Sequence, residues 1–162
     1  MYLTVSKTER VVKATIVDAL LLSVICAVPA ISHALSFPLY KLNPMAMCLL
    51  AGMLLVKDHR NAFLLAILMP LVSMLVTGFP IIDNTACMIP ELMTVVALMC
   101  TIDKKMPSEV SMFLSLLGGK IVFYTLRALF FSPAVLFGTS ILLQISVLIV
   151  LSMVYGFIVR KR

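Results

Sequence analysis

Long apolar segments alternate with short polar interruptions along almost the whole chain. Six apolar runs can be distinguished, at residues 12–32, 43–56, 62–78, 88–102, 109–130 and 134–159. A helix needs about 20 apolar residues to cross a bilayer, so the second run is short for a full crossing. The pattern predicts an all-α integral membrane protein with six transmembrane helices.

The composition agrees with this class. The chain is 62% apolar and 12% charged with a mean hydropathy of +1.15, whereas a soluble domain is about half apolar and a quarter charged. Six helices with short loops use all 162 residues, so we expect a single membrane domain over residues 1–162. No small-residue cleavage pattern follows the first run, and we expect the N-terminal segment to be retained.

The basic residues indicate an orientation. Ten of the 13 Lys and Arg residues fall on one side of the six-crossing arrangement: Lys7, Arg10, Lys13, Lys57, Arg60, Lys104, Lys105, Arg160, Lys161 and Arg162. Lys41 alone falls on the other side. Because short basic loops stay in the cytoplasm, both termini are predicted to be cytoplasmic.

Three interruptions that contain proline and aromatic residues then lie together on the outer side, around residues 32–42, 78–91 and 130–138. Irregular backbone near a membrane is tolerated where it is buried in protein or lines a wet cavity. These loops therefore predict a lid or pocket. Within the second, "TGFPIIDNTACMIPEL", we expect a helix end, a lid, and a new helix that starts at Pro90 and Glu91; Asp83, Asn84 and Thr85 would form a solvated turn or part of the pocket.

Polar side chains share one face of the fifth run. Lys120, Tyr124 and Arg127 are spaced by four and three residues, which puts them on one side of a helix. Either this stripe lines an outward cavity, or Arg127 extends to the interface along its apolar stem. Gln144 in the sixth run lies at a comparable depth.

Glu91 has two interpretations. After Pro90 it can stabilise the N-terminus of a helix through the helix dipole. Alternatively, it is a ligand contact or an ion-pair partner of Arg127 or Lys120.

The first run carries a charge and a stripe of small residues. An unpaired charge inside a membrane is costly, so Asp18 needs water or a partner. Either it lies near the membrane interface, where water or Lys13 reaches it, or it contacts another protein or lies inside the bundle. Ala19, Ser23 and Ala27 recur at every fourth position, which lets another helix approach closely, within the bundle or from a partner.

No catalytic constellation is visible. The sequence contains no nucleotide-binding loop, HExxH pair or GxSxG elbow, and His33 and His59 are predicted on opposite sides, so they cannot share a metal. The four cysteines are scattered and fit packing positions. We therefore expect no enzyme activity and no cofactor in this chain, and any ATP-driven process would need an ATPase on another chain.

About fifty contiguous residues, from Asn43 to Leu92, resemble the substrate-binding S-components of energy-coupling factor (ECF) vitamin transporters. The shared pattern is a proline-containing outer loop, a short "LLAG" helix, a basic turn, "PLVSMLVTGFP", and a proline-rich loop that leads into "MIPEL". The six-helix plan with both ends inside extends the resemblance to the whole chain.

This resemblance implies a function. Such a multi-pass protein of the bacterial cytoplasmic membrane binds a vitamin or related micronutrient from outside, then associates with a membrane coupling protein (T-component) and two cytosolic ATPases that use ATP. Substrate contacts would come from Glu91, Lys120, Tyr124, Arg127 and Gln144, with His33 and Asn43 from the first outer loop. The family docks through Ala-xxx-Ala on its first helix; Ala19, Ser23 and Ala27, or Ala14 with Asp18, are the nearest match and depart from that pattern.

A second hypothesis is a non-transporting scaffold subunit similar to the MreD family. It predicts a protein partner but no ligand, with the polar residues satisfying one another.

Overall fold

The computed structural model describes residues 7–103, 105–131 and 141–161, and its regular elements are all helical. In chain order they are α1 (Lys7–Ala34), a 3-10 helix (Leu39–Leu42), α2 (Pro44–Val56), α3 (His59–Thr77), α4 (Ile82–Ile102), α5 (Ser108–Phe130) and α6 (Ile141–Arg160). The prediction of an all-α protein with six main helices is confirmed.

Five of these helices, all except α2, are long and apolar enough to cross a membrane. With 13 residues, α2 is about 20 Å long, which is shorter than the roughly 30 Å hydrocarbon core of a bilayer. The apolar helices indicate a multi-pass membrane protein. Six full crossings and cytoplasmic termini stay predictions.

Local sequence explains several helix ends. Asn43 adopts the left-handed conformation (φ 54°), its side chain accepts a hydrogen bond from the amide of Ala46, and Pro44 follows in the first turn of α2. The Asp58 carboxylate caps α3 by accepting from the amide of Arg60 at 2.9 Å. At the other end of α3, Gly78 has φ 71°, a conformation that glycine adopts without steric cost.

The helices pack in two overlapping groups. The helices α1, α2 and α3 pack on one another, and α3, α4, α5 and α6 then pack in chain order. The core at these contacts contains side chains that are 0% exposed: Leu49, Leu65, Ala66, Met69, Val96 and Met112.

A glycine lets α5 approach α4 closely. A Cβ atom on Gly119 would lie 2.9 Å from the carbonyl oxygen of Glu91 and 2.6 Å from Cγ2 of Val95. Real Cβ atoms essentially never show contacts this short, so only glycine permits this spacing of the two helices.

The predicted start of α4 is wrong. The helix begins at Ile82, so Pro90 lies inside it and not in its first turn. Asp83, Asn84 and Thr85 form the first turn in place of a solvated turn, and Thr85 is buried. An acidic residue such as Asp83 suits that end of a helix dipole, and an internal proline is tolerated in membrane helices because neighbouring groups satisfy the freed carbonyl.

Candidate functional site

A cavity of about 800 Å³ lies at the end of the bundle that contains the α3–α4 loop. All six helices contribute to its wall, together with the 3-10 helix and the loops beside it. Much of the wall is apolar, formed by residues such as Ile25, Val28, Met45, Met88 and Leu148.

The seven side chains that the sequence nominated for substrate contact all line this one cavity: His33, Asn43, Glu91, Lys120, Tyr124, Arg127 and Gln144. They come from five separate parts of the chain, at the end of α1, the start of α2, and in α4, α5 and α6. The fold therefore brings the predicted residues together. Whether a given residue contacts a substrate stays a prediction.

Glu91 and Lys120 form an ion pair across α4 and α5. The distance from Glu91 Oε1 to Lys120 Nζ is 2.7 Å, and the two side chains are 3% and 20% exposed. Glu91 lies well inside α4, so the ion-pair interpretation is confirmed and the helix-capping interpretation is wrong.

Two polar atoms on the cavity residues have no hydrogen-bond partner. One is Glu91 Oε2, and the other is Asn43 Nδ2. The Asn43 side chain approaches the Glu91 carboxylate, but without the distance and angles of a hydrogen bond. Asn43 Oδ1 is already used as the acceptor for the amide of Ala46. Both atoms are buried, and because buried polar atoms are rarely left without a partner, the two side chains are placed to satisfy one another.

Phe123 organises the cationic side chains of α5. Lys120 Nζ lies 5.2 Å and Arg127 Cζ 5.9 Å from the centroid of its ring, distances at which a cation is attracted to a π-face. The Tyr124 ring meets it edge-on, with centroids 5.4 Å apart. Phe123 was not among the residues predicted from the sequence. Its spacing of three residues from Lys120 and four from Arg127 nevertheless puts it on the same helix face.

Tyr124 connects α5 to α6 at the cavity wall. Its hydroxyl donates a hydrogen bond to Oε1 of Gln144. Arg127, by contrast, has no Asp or Glu partner in the part of the chain that the structure describes. The polar stripe on α5 thus contains one paired cation, one phenol bound to a neighbouring helix, and one cation without a carboxylate.

The α3–α4 loop reaches the wall through hydrogen bonds that the sequence did not reveal. Ser73 Oγ donates to the carbonyl oxygen of Phe79 at 2.6 Å, and Thr77 Oγ1 accepts from the amide of Phe79 at 3.1 Å. These bonds hold Phe79 and Pro80 against the cavity. Serine and threonine near a helix end are common, so no signal in one sequence singles these two out.

The first loop is attached to α1 in a similar way. Ser32 Oγ accepts from the amide of Leu39 at 3.1 Å, and α1 contributes Pro29, Ser32 and His33 to the wall. The cavity wall therefore extends from α4, α5 and α6 to α1. Of the three proline-containing outer segments, the third lies almost entirely outside the described residues.

The first helix presents its small residues outward. Ala19 and Ser23 are exposed and Ala27 is half-buried, while Ser23 Oγ donates to the carbonyl of Ala19 at 2.8 Å. Asp18 instead faces the bundle, where its Oδ1 accepts from Asn61 Nδ2 on α3 at 2.8 Å. Asp18 therefore contacts the first turn of α3, and its role in binding a partner stays a prediction.

Metal ligands are not clustered in the described residues, where no group of three or more His, Cys, Asp or Glu side chains could hold an ion. The site is thus described by its cavity, its ion pair and its unpaired polar atoms. Comparisons with protein-family models, with curated proteins and with solved structures gave no match for the chain.

Proposed function

We propose that this protein is the substrate-binding S-component of an ECF-type importer, which binds a vitamin or related micronutrient from outside and passes it to an ATP-driven coupling module. The observation that carries the proposal is the cavity of about 800 Å³ on which all seven nominated polar side chains converge. Small-molecule sites have volumes of about 300–1,000 Å³ and combine a mostly apolar wall with a few placed polar groups.

The proposed orientation puts the mouth of the cavity on the outer side of a bacterial cytoplasmic membrane. Lys57, Arg60 and Lys105 are exposed in or next to the α2–α3 and α4–α5 connections at the opposite end of the bundle, where short basic loops favour the cytoplasm. A substrate would then enter past the first loop and the α3–α4 loop.

The coupling partners would bind the outward face of α1. Ala19 and Ser23 are exposed there beside Leu20 and Val24, which are 62% and 52% exposed. Small residues at this spacing let a partner helix approach closely. The proposed partners are a membrane coupling protein and two cytosolic ATPases, since the sequence contains no nucleotide-binding loop.

A scaffold subunit similar to the MreD family is the second candidate. The pairing of Glu91 with Lys120 and of Tyr124 with Gln144 favours it, because a scaffold needs its polar groups to satisfy one another. Arg127, which lines the cavity and has no Asp or Glu partner in the described residues, favours the binding protein.

Native mass spectrometry of gently purified protein tests the proposal. We expect the wild type to retain a small molecule, and Met88→Trp to lose it, because Met88 lines the cavity and an indole ring would fill much of the space. The matched control is Met93→Trp on the same helix, where Met93 is 36% exposed; it should retain the molecule.

The scaffold is favoured by a different result. It predicts that neither the wild type nor Met93→Trp carries a small molecule, and that no vitamin added to either protein raises its thermal stability. Retention by all three proteins would place the ligand outside this cavity.

A further inference from the structure

The cavity wall carries an excess of positive charge. Three cationic side chains line it, Lys41, Lys120 and Arg127, against one carboxylate, Glu91. The chain has seven Asp and Glu residues, and all seven lie in the described residues, so no other side-chain carboxylate balances these cations at the wall. Glu91 is committed to Lys120, which leaves Lys41 and Arg127 as the cations that a ligand meets.

The Arg127 guanidinium is oriented so that it can bind an anion. Its guanidinium lies over the Phe123 ring, with Cζ 5.9 Å from the centroid, an arrangement that orients the group while leaving its N–H donors available. A guanidinium presents a planar fork that matches a carboxylate or phosphate with two parallel hydrogen bonds. In a largely apolar cavity such a pair is stronger than in water.

We infer that the cavity binds a small organic anion, whose carboxylate or phosphate lies against Arg127 and Lys41. This assignment rests on the proposed function and names the class of substrate. It excludes cationic and uncharged micronutrients as the preferred ligand, because these would leave Arg127 and Lys41 without a counter-charge.

Charge-fractionated metabolites test the assignment without knowledge of the ligand. The probe is the ultrafiltered small-molecule fraction of yeast extract, divided on a strong anion exchanger into a retained and a flow-through fraction and brought to equal conductivity. Thermal unfolding of the purified protein is followed with a thiol-reactive dye, which reports the exposure of Cys48 and Cys87, two free and buried cysteines. A ligand that binds only the folded state raises Tm. We expect the retained fraction to raise Tm and the flow-through to leave it unchanged.

Charge variants identify the residues responsible. The Arg127→Gln variant should need a concentration of the retained fraction about tenfold or more above that of the wild type for the same Tm shift. The reason is that losing a hydrogen bond to a charged group weakens binding by about this factor or more. Lys41→Gln, on the 3-10 helix, provides the same comparison if Arg127→Gln does not fold. The control is Lys105→Gln, which changes an exposed lysine that does not line the cavity. This variant should need the same concentration of the retained fraction as the wild type.

The possible results test the anionic class of substrate separately from the proposed binding function. Stabilisation by the flow-through fraction, unaffected by Arg127→Gln and Lys41→Gln, overturns the anionic class but leaves a small-molecule binding protein. Stabilisation by neither fraction counts against the proposed function and, with it, against the anionic substrate.

Discussion

Glu91 on α4 and Lys120 on α5 form a 2.7 Å ion pair at the cavity wall, next to the position where Gly119 brings the two helices into contact. The pair engages one carboxylate oxygen, and the other is buried without a hydrogen bond. A close contact between α4 and α5 therefore lies directly beside the candidate binding site.

Removing one member of this ion pair should destabilise the protein strongly. Glu91→Met or Lys120→Met leaves a charge without its partner, which costs about 3–5 kcal/mol for a buried pair and lowers Tm by about 10 °C in a protein of this size. The double variant should recover much of the loss, because no unpaired charge remains. Thermal unfolding with the thiol dye measures all three variants.

The exposed pair Glu109–Arg160 is the matched control, with an N–O distance of 2.8 Å and side chains 27% and 75% exposed. Its single methionine variants should change stability by less than about 1 kcal/mol, because solvent screens such pairs. A Glu91/Lys120 double variant less stable than either single variant would contradict the coupling.

Gly119→Ala should push α4 and α5 apart. The added Cβ meets the backbone oxygen of Glu91, which cannot move without the helix, and overpacking of this kind costs about 1–3 kcal/mol. The neighbouring Gly118→Ala is the control, because its Cβ would meet only Cδ1 of Leu98, the far end of a flexible side chain. We expect a lower Tm and weaker ligand retention for Gly119→Ala than for Gly118→Ala; equal effects would show that α4–α5 spacing is not limited at Gly119.

Asn61→Leu should destabilise the contact between α1 and α3. It leaves the Asp18 carboxylate without its 2.8 Å hydrogen bond, at a cost of about 1–2 kcal/mol for a polar contact between membrane helices. Combining it with Asp18→Leu should restore stability toward that of the wild type. The measurement is again thermal unfolding, and a double variant that loses the full sum of the two single effects would sink the prediction.

Ser23→Leu should block the proposed partner without affecting the isolated protein. The Ser23 side chain is exposed and its hydroxyl bonds only within α1. The larger side chain would therefore occupy the space between α1 and a helix of the partner, and not the core of this protein. We expect unchanged Tm and ligand retention, but loss of the coupling protein and the ATPases when the protein is purified from its native membrane.

A size-matched control lies on another helix. Ser146→Leu makes the same substitution at an exposed serine of α6 whose hydroxyl also bonds only within its own helix, and this variant should co-purify with the same subunits as the wild type, identified by mass spectrometry and by ATP hydrolysis of the complex. Equal recovery of those subunits with Ser23→Leu would show that the partner does not use this face.

The sequence by itself determined the features that depend on local periodicity and composition. The apolar runs specified a helical membrane protein, because each run is long enough to cross or enter the bilayer. The spacing of Lys120, Tyr124 and Arg127 specified their common face, because a helix repeats every 3.6 residues. By the same periodicity Phe123, three residues after Lys120 and four before Arg127, lies on this face.

Only the tertiary structure decided how the faces of different helices meet. A helix start at Pro90 agrees with the preference of proline for the first turn of a helix, yet α4 begins at Ile82, and its first turn packs Thr85 into the bundle. Likewise, Glu91 pairs with Lys120 in preference to Arg127 because Gly119 sets the depth at which α5 meets α4. Helical period fixes directions within one helix, whereas the register between two helices is set by the side-chain volumes at their contact.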